Sequence, residues 1–266
     1  MLPSSVLQTQ QAEITLHIQN LTKIYGTTHS AITTRALNGM NLDVYRREFI
    51  SIMGPSGSGK TTLLNLLAGL DRPTSGELWI QGVNMGSLSA SEMALFRRRK
   101  LGFVFQDFNL LDTLTLAENV ALPLSLERQR SKEILRRVSE VMQFLGIADY
   151  MQRYPYEVSG GQQQRAAVAR AVVHSPSLLL ADEPTGNLDS SSARSLLELF
   201  QKLNEQQQTT ILMVTHDPFS ASYSQRIVFI KDGRVFAHLR RIGNQQQFFQ
   251  SILKMLAQLE GTHELA

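Results

Sequence analysis

One short segment constrains this chain more than any other. Residues Gly54–Thr61 fit the pattern G-x-x-x-x-G-K-[ST]. The apolar run Glu48–Met53 precedes the segment with the character of a strand, and leucines at helical spacing follow it between Leu63 and Leu70. A glycine-rich turn between a strand and a helix can wrap its backbone N–H groups around a phosphate at the positive end of the helix. The sequence therefore predicts a phosphate-binding loop in an α/β fold.

The residues of this loop have separate expected roles. Lys60 is expected to reach the β- and γ-phosphates of a nucleotide, the Thr61 hydroxyl to bind Mg²⁺, and Thr62 to contact a further phosphate oxygen. The remaining loop residues expected around the phosphates are Gly54, Pro55, Ser56, Gly57, Ser58 and Gly59. The alternative is a flexible Gly/Ser loop without a ligand, and the strand and helix on either side argue against it.

Two adjacent carboxylates follow a second buried strand. Leu178–Ala181 is apolar throughout, as expected for a central parallel strand that is covered on both faces. Asp182 is expected to hold the Mg²⁺ shell, and Glu183 to polarise the attacking water as a base. The alternative, a strand that ends in solvated acids, is common when no phosphate loop is present.

The segment Val158–Gln162 opens an Ala/Val-rich helix with a second candidate anion site. Ser159 and Gln162 have the spacing of a capping box, so Ser159 is the expected N-cap. Gly160 and Gly161 leave backbone N–H groups bare at this helix end. An ordinary capped helix is the alternative. If both anion sites are real, they bind two ligands, or the second closes over a nucleotide that another copy of the chain holds.

The order of elements predicts the architecture. Strands alternate with helices, which favours a parallel α/β sheet, and the helix-rich stretch of about 87–163 is interpreted as an insertion. Asp232-Gly233 is a hairpin turn signal, and residues 244–266 have the pattern of an amphipathic helix. Capping-box spacing recurs at two more helix starts, Ser89 with Glu92 and Thr115 with Glu118.

Composition excludes several classes of protein. The absence of cysteine rules out disulfides, thiolate zinc sites and cysteine nucleophiles. No apolar stretch reaches the length of a bilayer span, and the N-terminus lacks the pattern of a secretory signal. The net charge is +3, and the basic run Arg97–Lys100 is interpreted as a solvated face, so no nucleic-acid partner is expected.

Taken together, these motifs resemble those of the ATP-binding subunits of ABC transporters. Gly54–Thr61 is similar to their Walker A loop, and Leu178–Glu183 is similar to Walker B with its catalytic glutamate. Val158–Gln162 is similar to the ABC signature, with Val in place of the usual Leu. The resemblance implies a P-loop NTPase core with a mainly parallel sheet, an antiparallel β subdomain and an inserted helical subdomain. It also implies ATP and Mg²⁺ as cofactors.

Further residues follow the family pattern in order from about Leu16 to Leu239. Tyr25 resembles the aromatic residue that stacks on adenine, and Gln106 resembles the Q-loop glutamine that links Mg²⁺ and water to the permease contact. Gly186–Asp189 resembles the D-loop, which gives Asp189 a place near the nucleotide. His216 resembles the switch histidine on the γ-phosphate.

Three segments narrow the resemblance to one subgroup. The segments are Leu63–Asp71, Arg97–Gln106 and Glu183–Asp189. They resemble the corresponding segments of ABC proteins that export macrolides, release lipoproteins or confer resistance to bacitracin and other antimicrobial peptides. The C-terminal helix most resembles the antimicrobial-peptide branch. The implied organisation is an ATP-binding domain over residues 14–239 followed by the helix at 244–266. The implied partners are a second copy of the chain, with ATP sandwiched between the two, and an integral membrane permease that docks near Gln106–Leu116. This organisation implies a peripheral position on the cytoplasmic face of the membrane.

Two other classes of protein are the alternatives to an ABC transporter subunit. An ABC ATPase that acts on DNA or ribosomes would carry a long coiled-coil arm or two cassettes. This chain has one cassette, and only 98 residues separate Lys60 from Ser159. A P-loop kinase would lack the signature, the D-loop and the histidine at position 216. A membrane protein that copurifies with the chain would support transport, and bound nucleic acid would support the first alternative.

Overall fold

Two β-sheets form the frame of the computed structural model, which describes residues 13–26 and 33–261. The strands are β1 Ile14–Tyr25, β2 Thr34–Tyr45, β3 Phe49–Met53, β4 Ser75–Ile80, β5 Val83–Asn84, β6 Leu101–Val104, β7 Leu178–Asp182, β8 Ile211–Val214, β9 Arg226–Lys231 and β10 Arg234–Arg240. The helices are α1 Lys60–Leu67, α2 Ala90–Lys100, α3 Leu116–Leu126, α4 Ser131–Phe144, α5 Gly160–Val172, α6 Ser190–Gln207, α7 Pro218–Ala221 and α8 Gln245–Gly261.

The larger sheet is mainly parallel, as the sequence predicts. Its strand order is β10-β9-β3-β8-β7-β6, and only the β9–β10 pair, joined through Asp232-Gly233, is antiparallel. Every residue of β3 and β8 is buried. The apolar runs of these strands are explained by this burial, because helices and the second sheet cover both faces.

The second sheet is antiparallel, with the order β2-β1-β4-β5. Its inward residues and the leucines of α1 form one core with alternate residues of the parallel strands, among them Ile50 and Leu180. The intervening residues, such as Phe49 and Leu179, point to a second core with α3, α4, α5 and α6. Because alternate residues of a strand face opposite sides of the sheet, α1 packs between the two sheets on one side. The loop before α1 therefore lies at the carboxyl end of β3.

The stretch 87–163 differs from the prediction in one element, because β6 lies within it. Leu101–Val104 pairs in parallel with Leu178–Ala181 and forms an edge of the larger sheet. The run is short and follows the basic end of α2 directly, so its local pattern gives no strand signal. Tertiary pairing determines its structure, and Gly102 permits the close approach of α5, since a Cβ there would lie 2.3 Å from the Ala171 carbonyl oxygen.

The ends of the helices follow their local sequence. All three predicted capping boxes are confirmed, with Ser89, Thr115 and Ser159 as N-caps. The predicted C-terminal helix is present over Gln245–Gly261, and its buried side chains pack on β9 through residues that include Phe248 and Ile252. Residues 1–12, expected to be a frayed lead-in, and residues 262–266 of the predicted helix lie outside the described residues. Within 13–26 and 33–261, no helix has the length and hydropathy needed to cross a bilayer.

Candidate functional site

The glycine-rich loop turns directly from β3 into α1. Gly59 is the N-cap of α1 with φ of 102°, a backbone conformation that L side chains rarely adopt. A Cβ at Gly59 would also lie 2.4 Å from the carbonyl oxygen of Ala36. Only glycine fits this position, and the loop consequently presents the N-terminal N–H groups of α1 to the cleft beside it.

Lys60 is held inside this loop. Its Nζ donates hydrogen bonds to the carbonyl oxygens of Gly54 and Pro55, each at 2.8 Å. Burial lowers the pKa of the Lys60 ammonium, and the charges of Glu183 and Asp182 oppose that shift. The geometry therefore places a cation and two carboxylates at one end of the parallel sheet.

An open cleft of about 510 Å³ lies over the loop. It brings together most of the residues that the sequence singles out, and the lining includes Tyr25, Gly54, Ser56, Gly57, Gly59, Lys60, Thr61, Thr62, Glu183 and His216. Thr34, Arg35 and Ala36 of the antiparallel sheet complete its wall. A donor-rich floor beside an exposed aromatic ring suits a ligand with a phosphate end and a planar end.

Asp182 and Glu183 stand in different environments although they are adjacent. Asp182 ends β7, where burial raises the pKa of its carboxyl group, the Glu183 charge raises it further, and Lys60 opposes the shift. Glu183 has φ of 44°, which turns its side chain out of the strand direction. Its Oε1 accepts the backbone N–H of His216 at 3.0 Å and lies 2.7 Å from His216 Nδ1. Its Oε2 accepts the Thr215 hydroxyl at 3.1 Å.

Thr215 is a residue that the sequence analysis misses. It follows the buried strand β8, is itself fully buried, and donates to Glu183. A threonine after a strand is common in protein sequences, and no motif spacing identifies this one as a functional residue. Its position next to His216 is the one sequence signal that could have identified it.

Tyr25 lies at the mouth of the cleft with its ring partly exposed. Its hydroxyl donates to Asp71 Oδ2 at 2.8 Å, and Lys23 Nζ lies 4.8 Å from the ring centroid. Burial and the Asp71 hydrogen bond raise the pKa of the Tyr25 hydroxyl. Lys23 also pairs with Asp71 at 2.6 Å. Asp71 and Lys23, which sequence analysis did not implicate, therefore fix the orientation of the ring.

Gln106 is placed against the segment Gly186–Asp189 and does not line the cleft. Its Nε2 donates to Asn187 Oδ1 at 3.3 Å, and Asn187 Nδ2 donates to the Gln106 carbonyl oxygen at 3.3 Å and to Asp107 Oδ1 at 2.8 Å. Asp189 is the N-cap of α6, and hydrogen bonds from Ser192 hold the pKa of its carboxyl group below the usual range. The two loops are thus fastened to each other beside the carboxylates.

The candidate second anion site lies in a separate pocket. Ser159, Gly161 and Gln162 line a hollow of about 260 Å³ together with Arg165 and Ser192. No residue of this hollow also lines the cleft of Lys60. The two candidate anion sites therefore lie at different places on the surface of one chain.

A phosphate-binding loop between β3 and α1, with paired carboxylates at the end of β7, defines a nucleotide-binding protein of the P-loop class. The family model described as "ABC transporter" matches residues 37–186. The chain is 54% identical over 92% of its length to an ABC transporter ATP-binding protein of Bacillus subtilis, YvcR, and covers 95% of that protein. It is 47% identical over 92% of its length to the bacitracin export ATP-binding protein BceA of Halalkalibacterium halodurans, of which it covers 97%.

A solved structure agrees with the same assignment. The dimeric ATP-binding cassette MJ0796 of Methanocaldococcus jannaschii, bound to ADP and Pi in a post-hydrolysis state, has a TM-score of 0.77 and 40% identity. The match covers 86% of this chain and all of that one. The chain belongs to the ATP-binding proteins of ABC transporters and is an ATPase of that family. The predicted family and fold are confirmed, and an ABC ATPase acting on nucleic acid or ribosomes is not favoured.

Proposed function

We propose that this ATPase powers the export of an antimicrobial peptide, such as bacitracin, through a separate membrane permease. The relative named for bacitracin export supports this proposal, because the chain covers 97% of its length. A relative named as a macrolide export ATP-binding/permease protein, from Syntrophobacter fumaroxidans, is 43% identical, but the chain covers only 32% of it. The higher identity to the bacitracin relative favours a peptide over a macrolide. In this proposal the chain is a peripheral subunit on the cytoplasmic side of the membrane.

The observation that carries the catalytic part of the proposal is the convergence of Lys60, Glu183 and His216 on one cleft. In our proposal Lys60 and the N–H groups of the loop bind the β- and γ-phosphates of ATP. Glu183 accepts a proton from the attacking water, and His216 contacts the γ-phosphate. Phosphoryl transfer requires mainly positioning and charge stabilisation, and a cleft with these fixed donors provides both.

Mg²⁺ fits oxygen donors of which one, at Thr61, lines the cleft and two, at Asp182 and Gln106, lie beside it. The oxygen donors that would hold it are the Thr61 hydroxyl, the Asp182 carboxylate and the Gln106 side-chain carbonyl, all of the hard type that Mg²⁺ prefers. Burial and the neighbouring Glu183 disfavour a charged Asp182, so the site favours an added cation. When bound, the ion would neutralise charge that develops on the β- and γ-phosphate oxygens.

Two copies of the chain complete each site in this proposal. ATP lies between Lys60 of one copy and Ser159 and Gly161 of the other, with Tyr25 against the adenine and Asp189 near the interface. The separation of the two half-sites within one chain supports this arrangement. The dimeric state of the MJ0796 cassette also supports it. ATP between the copies would close the dimer, and hydrolysis would open it.

The permease is proposed to dock in a cleft of about 630 Å³ beside the segment Gln106–Leu116. Phe103, Phe105 and Leu126 give the cleft an apolar wall, and Arg98 and Arg170 lie at its side. Leu111, which is 49% exposed, stands within the predicted docking segment, whereas Leu110 packs against the helical core. An apolar cleft with basic edges suits a short amphipathic helix.

Susceptibility to bacitracin in a strain that lacks the gene tests the proposal. We expect the wild-type chain to restore growth in the antibiotic and Glu183→Gln to fail. Glu198→Gln is the matched control, because it makes the same substitution on the exposed face of α6. Equal susceptibility with and without the wild-type gene would contradict peptide export.

A further inference from the structure

Gln164 is a fully buried amide that the motif analysis does not use. It lies in α5, three residues after Gly161 and therefore almost one helical turn further along the same face. Buried polar side chains are uncommon in protein cores unless they satisfy specific partners. The partners of Gln164 are consequently the evidence for its role.

Both partners belong to loops that carry catalytic motifs. Gln164 Nε2 donates to the carbonyl oxygen of Phe105 at 3.1 Å and to that of Pro184 at 2.6 Å. Phe105 directly precedes Gln106, and Pro184 directly follows Glu183. Because carbonyl oxygens only accept hydrogen bonds, the NH₂ group is the end of the amide that must face the two loops.

The amide bridges the loops from beneath, and Asn187 fastens them from the solvent side. Asn187 exchanges hydrogen bonds with Gln106, whereas Gln164 reaches the backbone on the inner side of both loops. Gln164 Oε1 is buried and accepts no hydrogen bond from the described part of the chain. The side chain thus directs its amide donors to both loops, so that one buried group links them.

We propose that Gln164 is a positioning residue that sets the separation between Gln106 and Glu183. It ties both loops to the helix that begins with Ser159 and Gly160. The inference rests on the proposed function, in which that helix end contacts the nucleotide of the partner copy. Contact between this helix end and the partner's nucleotide would then affect Glu183 of the same chain through one buried side chain, that of Gln164.

ATPase kinetics of Gln164→Met test this proposal. Methionine keeps the volume of the side chain and removes both donors, so we expect kcat to fall on the order of 10–100-fold. The KM for ATP and the affinity for a fluorescent ATP analogue should stay within about twofold, because Gln164 does not line the cleft. Gln201→Met is the control, since it removes a similar amide–carbonyl hydrogen bond, to Tyr223, between residues that do not line the cleft. An unchanged kcat, or a raised KM at an unchanged kcat, would overturn the proposal.

A second variant adds a readout that a purely structural role would not move. Glutamate at position 164 donates one hydrogen bond only when it is protonated, and burial raises the pKa of a carboxyl group. The kcat of Gln164→Glu relative to wild type should therefore rise as the pH falls from 8.5 to 6. A ratio that is independent of pH would overturn the proposal, as would failure of both variants to fold at 25 °C. Glu183→Gln, measured in parallel, reports on the proposed hydrolysis itself, so the two failures are distinguishable.

Discussion

Glu183 Oε1 accepts the backbone N–H of His216 at 3.0 Å and lies 2.7 Å from Nδ1 of the same residue. This contact joins the end of β7 to the end of β8, because Glu183 directly follows β7 and His216 lies two residues after the last residue of β8. The imidazole is 76% exposed, whereas the carboxylate is 18% exposed. A shielded carboxylate is therefore oriented by a side chain that a ligand in the cleft can reach.

Replacement of the imidazole should affect turnover more than binding. His216→Ala removes one of three hydrogen bonds to Glu183 and the proposed γ-phosphate contact, so we expect kcat to fall about 10²-fold or more. The affinity for ATP should change by less than about threefold. Steady-state ATPase assays check this, with His17→Ala, a histidine at a distant polar pocket, as the control. A wild-type kcat in His216→Ala would remove the residue from the mechanism.

Asp182 should oppose stability in the free protein. Its folded-state pKa is raised, so stability falls as the pH rises through the range between its ordinary pKa and its pKa in the fold. Asp182→Asn should raise the melting temperature of the nucleotide-free protein at pH 7–8 by about 1–4 °C. The same variant should lose Mg²⁺-dependent ATP hydrolysis. A lowered melting temperature would show that the ionised carboxylate stabilises the fold.

Tyr25 offers a way to separate stacking from hydrogen bonding. Tyr25→Ala should weaken ATP binding about tenfold, because stacking of a base on an aromatic ring contributes about 1–3 kcal/mol. Tyr25→Phe keeps the ring and loses only the bond to Asp71, so its affinity should stay within about twofold of wild type. Titration with a fluorescent ATP analogue measures both. Equal losses in the two variants would mean that the hydroxyl, and not the ring, contributes the binding energy.

Leu111 tests the proposed docking segment. Leu111→Glu places a charge on an exposed apolar position, so we expect copurification with the permease to fall several-fold while the basal ATPase stays near wild type. Leu135→Glu is the control, because Leu135 is 66% exposed on α4 and lies outside that segment. Undiminished copurification of Leu111→Glu would place the docking site elsewhere.

Local sequence patterns predict those parts of the molecule that depend on local physics. The loop before Lys60, the N-cap at Ser159 and the apolar strand before Asp182 each follow from glycine geometry, capping chemistry and burial on both faces. The structure brings Tyr25, Lys60, Glu183 and His216 to one cleft. The roles assigned to them remain predictions.

Other features depend on contacts between distant segments, which no local pattern records. Strand β6 forms because Leu101–Val104 finds β7, some 75 residues further along the chain. Thr215, Asp71 and Gln164 orient motif residues, but each has an ordinary local context. Side chains that position other residues are therefore what the sequence analysis misses most often.

Sedimentation of Glu183→Gln with ATP tests the central claim most directly, because the claim is that each copy completes the other's site. This variant should bind ATP and hydrolyse it at least 10²-fold more slowly than wild type, so the closed dimer should persist. We predict a species of twice the 29.8 kDa chain mass in ATP and a monomer without it. Adding Ser159→Glu should abolish the dimer, because it places a negative charge opposite the γ-phosphate. A Glu183→Gln protein that stays at 29.8 kDa in saturating ATP, while the wild type hydrolyses ATP as a monomer, would contradict the account.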